Sequence, residues 1–450
     1  MVAQTALDRE GQLPRPKGQR PGRSGSMAEA MAMIPDNAWV YVTGLMGTPT
    51  ALVSALSDHH RQWECLTTVA DYLFEPLPTF VLPPDVEPTD WPFRHVTVQP
   101  SAATDAVHPH RLEIVPAHSS GFYQLFSRSG RLAVDVALVQ VSLPGPDGTF
   151  SLGVAGGATP EVVCTADIVI AEVNPEMPHV GGVVAFGRDR FDLLVEAEHQ
   201  LTLLPGSAAG RPVASADHES VPKRIARHLA SEIDNGATIE YGIGAIPDAV
   251  VAALGDHESL GLHSGLIGEA AMNLIDSGAM DGSAKTLDQG LHVASAVVGG
   301  QAAVDWIRKR DDVAIVASNY SHGVASLAQQ QRFVAINSAV EVSLDGAVNA
   351  EQVGNRVISG PGGQPDFAAG AALSLGGLAI VALPSTARRG KTSRIVPRLD
   401  PSVPTTVPRY LADRVATEHG VARLRGATLV ERREQLIRIS DEVFRSSLGE

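Results

Sequence analysis

Short apolar runs recur along this chain, each followed by a glycine or polar break and then by residues with helical spacing. Trp39–Val42, Val136–Val141 and Ile168–Val173 are such runs in the first half. Thr238–Tyr241, 313–316 and 378–383 are their counterparts in the second. Mainly apolar runs of this length mark strands buried on both faces. Their alternation with helices predicts an α/β fold with mainly parallel sheets.

The two halves echo one another. Gly44-Leu45-Met46-Gly47-Thr48-Pro49 leads into Ala51-Leu52-Val53-Ser54-Ala55-Leu56-Ser57-Asp58-His59. Gly242-Ile243-Gly244-Ala245-Ile246-Pro247 leads into Ala249-Val250-Val251-Ala252-Ala253-Leu254-Gly255-Asp256-His257. Every matched pair lies 198 positions apart without a gap, as Gly44 and Gly242 do, which points to duplication. Each copy reads as strand, glycine turn, helix. Pro49 and Pro247 suit a first helical turn, where a missing N–H costs nothing. Glycines before a helix start let the backbone approach a bound anion, although a tight βα turn without ligand needs the same residues.

Between the copies, the proline- and glycine-rich stretch from Pro205 marks a linker over 205–222. An N-terminal domain is therefore expected over 27–204 and a C-terminal one over 223–450. Residues 1–26 are basic and rich in proline and glycine, with no apolar centre of a secretory signal. They read as a disordered tail ahead of a start near Met27.

Composition narrows the function classes. Apolar residues make up 44% and charged residues 19%, the balance of a folded chain, while only 5% is aromatic, which favours close α/β layers. A net charge of −15 argues against nucleic acid as the partner. Cys65 and Cys164 form no C-x-x-C pair, so they read as reduced, buried thiols of a cytoplasmic protein without a metal site. No apolar run approaches the ~18 residues needed to span a membrane.

One loop carries an explicit chemical signal. Ser359-Gly360-Pro361-Gly362-Gly363-Gln364-Pro365-Asp366-Phe367 puts three glycines within four positions ahead of a helical stretch. Exposed backbone N–H groups in such a loop suit an oxyanion hole or a cofactor cradle. This segment resembles the GxGGQxDF motif of the acetyl-CoA hydrolase/CoA-transferase family. Other landmarks follow in order. Glu172-Val173-Asn174-Pro175-Glu176-Met177-Pro178 resembles EVNxxMP, Gly242 to Asp248 matches GIGAIPD, and Ile336-Asn337-Ser338-Ala339-Val340-Glu341-Val342 resembles INSAxEV. Ser393-Arg394-Ile395-Val396-Pro397 and Thr417-Glu418-His419-Gly420-Val421-Ala422 resemble SRIVP and TEYGVA.

The resemblance implies two related α/β domains with acyl-CoA at their junction, and CoA transfer between small carboxylates or acyl-CoA hydrolysis. Coenzyme A would be a substrate, with no permanent cofactor and no metal. Gly242, Ile243, Gly244, Ala245, Ile246, Val340, Gly360 and Gly363 would line its site, with Lys391 and Arg394 candidates for its phosphates. Gly362 and Gly363 would offer N–H groups to the thioester, and Asn319 would position the reacting carboxylate. A homo-oligomer is also implied, with small-molecule partners only.

The family's transferases use a glutamate nucleophile in a segment reading roughly G-I-H-T-E-M-x-S-D-G. Here the stretch is Gly261-Leu262-His263-Ser264-Gly265-Leu266-Ile267-Gly268-Glu269, which puts Gly265 in the glutamate's place. Three readings follow. Glu269 serves as general base for hydrolysis, standing roughly 6 Å further on if the stretch is helical. Or Glu269 is itself the nucleophile after a backbone change. Or the chain is a non-catalytic CoA-binding subunit. His263 and His322 read as structural histidines.

Overall fold

The structure, a computed structural model, describes residues 22–107, 111–204 and 220–449. The chain divides into two compact units, one of Met1–Pro205 with Ser295–Tyr320, the other of Gly206–Ala294 with Ser321–Glu450. Residues 295–320, which the sequence reading assigns to the C-terminal domain, thus cluster with the first unit. Backbone bonds hold them there: Gly156 N–H donates to the Ser295 carbonyl (2.7 Å) and Ser318 N–H to that of Gly157 (2.9 Å). The expected linker lies mostly outside the described residues.

The first unit is built on eight strands: β1 (Arg23–Gly25), β2 (Trp39–Val42), β3 (Leu66–Ala70), β4 (Phe93–Thr97), β5 (Leu112–Ile114), β6 (Val136–Val141), β7 (Ile168–Val173) and β8 (Leu193–Glu196). Their order is β1-β8-β7-β6-β2-β3-β4-β5, and every neighbouring pair is parallel. Strand β6 is buried at all six positions, Gln140 included, as its mainly apolar run leads one to expect. Helix α1 (Met27–Ala32) precedes β2 and α2 (Thr50–Asp58) joins β2 to β3. Leu52, Leu56, Leu66, Phe93, Leu138 and Ile170 belong to one core cluster there.

Two expectations change here. The last residues of the supposed tail are ordered: Arg23–Gly25 pair with Leu193–Val195, and Ser26 caps α1 in a reciprocal box with Glu29. Residues 1–21 lie outside the described set. Cys65 and Cys164 are half-buried, not buried, and neither is in a disulfide.

The second unit contains α3 (Val221–Ala230), β9 (Thr238–Tyr241), α4 (Ala245–Ala252), β10 (Gly261–Ile267), α5 (Glu269–Ser277), β11 (Phe333–Ser338), α6 (Gln364–Leu373), β12 (Leu378–Ala382), β13 (Arg414–Thr417) and β14 (Gly420–Arg423). Strands run in the order β10-β9-β11-β12-β13-β14, parallel except for the last pair. Phe333, Val342, Phe367, Val381, Leu383, Val415 and Leu436 share its core. The order β13-β12-β11-β9-β10 repeats β8-β7-β6-β2-β3 of the first unit. Each copy places a helix before its inner strand and another after its glycine turn. The duplication seen in the residues is therefore also one of topology.

Candidate active site

The glycine turns of the two copies are used differently. In the first, Gly44 is filled in: a Cβ there would meet the Tyr72 carbonyl at 2.2 Å and Asp71 Oδ1 at 2.3 Å. The fully buried Glu172 of the Glu-Val-Asn segment supports this turn from behind. Its carboxylate accepts the Leu52 N–H (2.9 Å) in the first turn of α2 and pairs with His199, whose pKa that bond raises. Asn174 donates to Gln140 Oε1 (3.0 Å), and Gln140 donates to the Thr48 carbonyl (2.7 Å). These residues hold the turn's shape; substrate contact need not explain them.

In the second copy the turn stays open at its tip. Gly242 is required by Asn337, whose Oδ1 would lie 2.6 Å from a Cβ. Asn337 Nδ2 in turn donates to the buried Glu240 carboxyl (2.8 Å), which burial keeps well above the usual carboxylate range. Gly244 caps α4 with φ +139°, a conformation only glycine adopts readily. Ile243 and Ala245 are exposed beside it, and Ile246 is buried under the helix.

Strand β10 carries the departure noted in the sequence. His263 and Gly265 share one face of the strand, by its two-residue period. His263 is fully buried, its ring 6.5 Å from Phe333. Phe333 lies 6.3 Å from Phe367, and Phe367 lies 4.5 Å from His322, so four rings form a row under the strand and α6. At the end of that row, His322 meets both glycines of interest. A Cβ on Gly265 would be 3.1 Å from His322 Nε2; one on Gly363 would be 2.7 Å from the same atom and 2.4 Å from Cδ2. The imidazole therefore stands between Gly265 and the glycine loop.

Gly363 caps α6, and Gly362 before it has φ +59°. Ten helical residues follow, so N–H groups and the positive helix end meet at this loop. Gln364, in the first turn, is buried, and its Nε2 has no hydrogen-bond partner among the described residues. Gly360 is buried at the start of the loop. Val340 N–H donates to the Asn349 carbonyl (2.9 Å), and Arg394 Nη1 donates to the Ala339 carbonyl (3.1 Å), so Arg394 braces the Val340 turn. Lys391 is exposed. Asn319 sits on the short helix Ser318–Ser321, in the part of the chain that clusters with the first unit.

The placement of Glu269 requires a correction. Residues 261–267 are strand, not helix, so Gly265 and Glu269 are separated by extended backbone. At ~3.3 Å per residue that separation approaches ~13 Å, twice the helical spacing. Glu269 is exposed in the first turn of α5. Its neighbour is Asp248 in the first turn of α4: burial, reinforced by the Glu269 charge, lifts the Asp248 carboxyl to about 6. Sequence reasoning named Asp248 only as part of its glycine motif and read His322 as a structural histidine. The first could have been found as the last residue of its glycine motif. The second was singled out as a lone histidine, but nothing along the chain ties it to the glycines it meets.

Comparison with known proteins agrees with this architecture. Residues 18–187 match the acetyl-CoA hydrolase/transferase N-terminal domain, and 299–450 match the C-terminal domain of the same name. The chain is 37% identical over 430 residues to the 4-hydroxybutyrate coenzyme A transferase of Clostridium kluyveri, covering 93% of this chain and 95% of that one. Among solved structures, RipA from Yersinia pestis superposes with a TM-score of 0.82 at 26% identity, covering 95% of this chain and 96% of that one. The 4-hydroxybutyrate CoA-transferase of Porphyromonas gingivalis gives 0.75 at 30% identity, with coverage of 95% and 96%.

Proposed function

This chain belongs to the acetyl-CoA hydrolase/transferase family, and we propose that within it the protein hydrolyses small acyl-CoA thioesters, water replacing the family's carboxylate nucleophile. The observation that carries this reading is Gly265. It stands on β10 where the resemblance sets the nucleophile, offers no side chain to acylate, and faces the Gly362-Gly363 loop across His322. The loop's N–H groups, with the Gln364 amide, are the donors for a developing oxyanion. The open turn of Gly242, Ile243, Gly244 and Ala245 would take part of the CoA moiety, with Val340 and Gly360 beside the thioester. Coenzyme A is substrate and product, not a resident group.

CoA transfer between small carboxylates is the second reading. It is favoured by the extent of the match to the Clostridium transferase. It requires Glu269, beyond the end of the strand, or Asp248, on α4, to supply the carboxylate, and such displacement weakens nucleophilic catalysis steeply.

The test is incubation of the purified protein with acetyl-, propionyl-, butyryl- and succinyl-CoA, with and without acetate, followed by mass spectrometry. Free CoA released without acceptor is the expected result. New acyl-CoA formed only with acceptor would replace hydrolysis by transfer. We further read the protein as a cytoplasmic homo-oligomer, a point to be decided by light scattering and cell fractionation; among the described residues no helix is long and apolar enough to cross a membrane.

A further inference from the structure

We propose that the side-chain carbonyl of Asn337 accepts a hydrogen bond from an amide N–H in the pantetheine arm of coenzyme A, and that Glu240 is the positioning residue that aims it. This rests on the reading above that the turn of Gly242 to Ala245 takes part of the CoA moiety, and names the side chain that recognises it.

The argument begins with two neighbouring strands. On β9 and β11, which are parallel, Glu240 pairs with Ala335 and Tyr241 with Ile336. Gly242 N–H then donates to the Ile336 carbonyl (3.0 Å), so the turn leaves the sheet directly beside Asn337. The Asn337 amide is divided between strand and turn. Its Nδ2 donates to the Glu240 carboxyl (2.8 Å), which orients the amide and leaves Oδ1 toward Gly242, where a Cβ would lie 2.6 Å from it. Gly242 lacks the positive φ of Gly244, so its missing side chain serves this approach and not the backbone. Among the described residues nothing donates to Oδ1, and the half-buried Asn337 leaves that atom open at the turn.

Glu240 makes the orientation firm. It is 1% exposed, and no lysine or arginine of the described residues pairs with it, so burial holds the carboxyl in its neutral form. It therefore fixes the amide without bringing a cation to the turn. The turn's own exposed side chains, Ile243 and Ala245, are apolar. Such a surface suits an uncharged, partly apolar chain that carries N–H donors. Within coenzyme A that is the pantetheine arm, whose two amides include one only two methylenes from the sulfur. Reach agrees with this choice. Val340, read above as lying beside the thioester, is three residues beyond Asn337, at most ~10 Å of extended backbone. The adenine amino group lies past the diphosphate, at the far end of the molecule.

The test measures binding of coenzyme A by titration calorimetry to the parent protein and to Asn337→Leu, Glu240→Gln, Glu240→Leu and Ile243→Glu, with folding followed by circular dichroism. Asn337→Leu should weaken CoA roughly three- to tenfold, as loss of one hydrogen bond does, and leave 3′-phospho-ADP, which lacks the arm, bound as before. Glu240→Gln keeps an acceptor for Asn337 Nδ2 and should match the parent, while Glu240→Leu should lose as much as Asn337→Leu. Coenzyme A with an ester oxygen in place of one pantetheine N–H should bind the parent more weakly by a similar factor for one of the two amides. That difference should vanish in Asn337→Leu. Should the variants not fold, these analogues read the same bond on the parent protein. A folded Asn337→Leu that binds CoA as tightly as the parent, an equal loss for 3′-phospho-ADP, or a parent that binds both ester analogues like CoA overturns the assignment. A Glu240→Gln as weak as Glu240→Leu overturns the role of Glu240. Ile243→Glu separates the proposal from the reading beneath it: weaker CoA binding there keeps CoA at the turn whatever Asn337 does, and unchanged binding in both variants removes it from the turn.

Discussion

Gly265→Glu puts a carboxylate on β10, and the structure says what its first carbon meets. A Cβ at this position lies 3.1 Å from His322 Nε2, 3.4 Å from Cε1 and 3.7 Å from Phe367 Cε2. The first carbon is accommodated if the imidazole yields by a few tenths of an ångström. The remaining carbons and the carboxylate must find room beside a ring that Ser321 and Phe367 contact. Overpacking of this kind costs about 1–3 kcal/mol. In a unit of this size each kcal/mol lowers Tm by roughly 2–4 °C, so a fall of ~2–12 °C is expected. Removing the imidazole as well, in Gly265→Glu with His322→Ala, should return much of that loss. The double-mutant cycle should then show a favourable coupling of about 1 kcal/mol or more. The activity should change kind: the single variant loses acceptor-independent release of CoA, and the double variant forms a covalent CoA adduct on the new glutamate, detectable as a mass increase. Thermal denaturation and intact-mass spectrometry decide it. If Gly265→Glu is as stable as the parent and the two substitutions merely add, the ring does not fill the nucleophile's place and the reasoning fails.

Three further outcomes follow from particular contacts. Gly363→Ala sets a methyl 2.4 Å from His322 Cδ2 and 2.5 Å from Phe367 Cε2, so it should lower stability by about 1–3 kcal/mol in urea denaturation and depress kcat more than KM. Burial pushes the His95 imidazole down to about 3, against ~6.5 in the unfolded chain, so its contribution is complete above pH 6.5 and is lost as pH falls toward 3. Urea midpoints at pH ~7 and ~4.5 should show a loss on the order of 2–3 kcal/mol that His95→Gln largely removes. Lys285, buried with its Nζ on the Leu262 (2.9 Å) and Leu291 (2.6 Å) carbonyls, is lowered by that burial to about 8. The unfolded chain keeps this proton to ~10.4, so the parent should gain about 2 kcal/mol between pH ~8 and ~10; an equal gain in Lys285→Met would refute the assignment.

What was legible in the sequence depended on whether apolar side chains carried the signal. Strands β6 and β7 are enclosed almost completely and read directly as apolar runs. The repeat was legible because its landmarks kept one spacing. Strand β1 was not, since Arg-Ser-Gly has no apolar content and is ordered by backbone pairing with Leu193–Val195. Strand β10 was left unassigned, because polar His263 and Ser264 sit at fully buried positions, which hides the strand's pattern. His322 shows the deeper limit. The resemblance sets Gly265 where the family's glutamate would stand and marks the loop at Gly362-Gly363, but a glycine leaves no trace of what fills the space beside it. Only the positions its absent Cβ would occupy, read against the fold, single out the imidazole. The neighbours of such a glycine are found in the volume around its absent Cβ, not along the chain. Glu269 was the nearest carboxylate along the chain, and extended backbone carries it away; His322 was remote along the chain, and the turn before its helix brings it in.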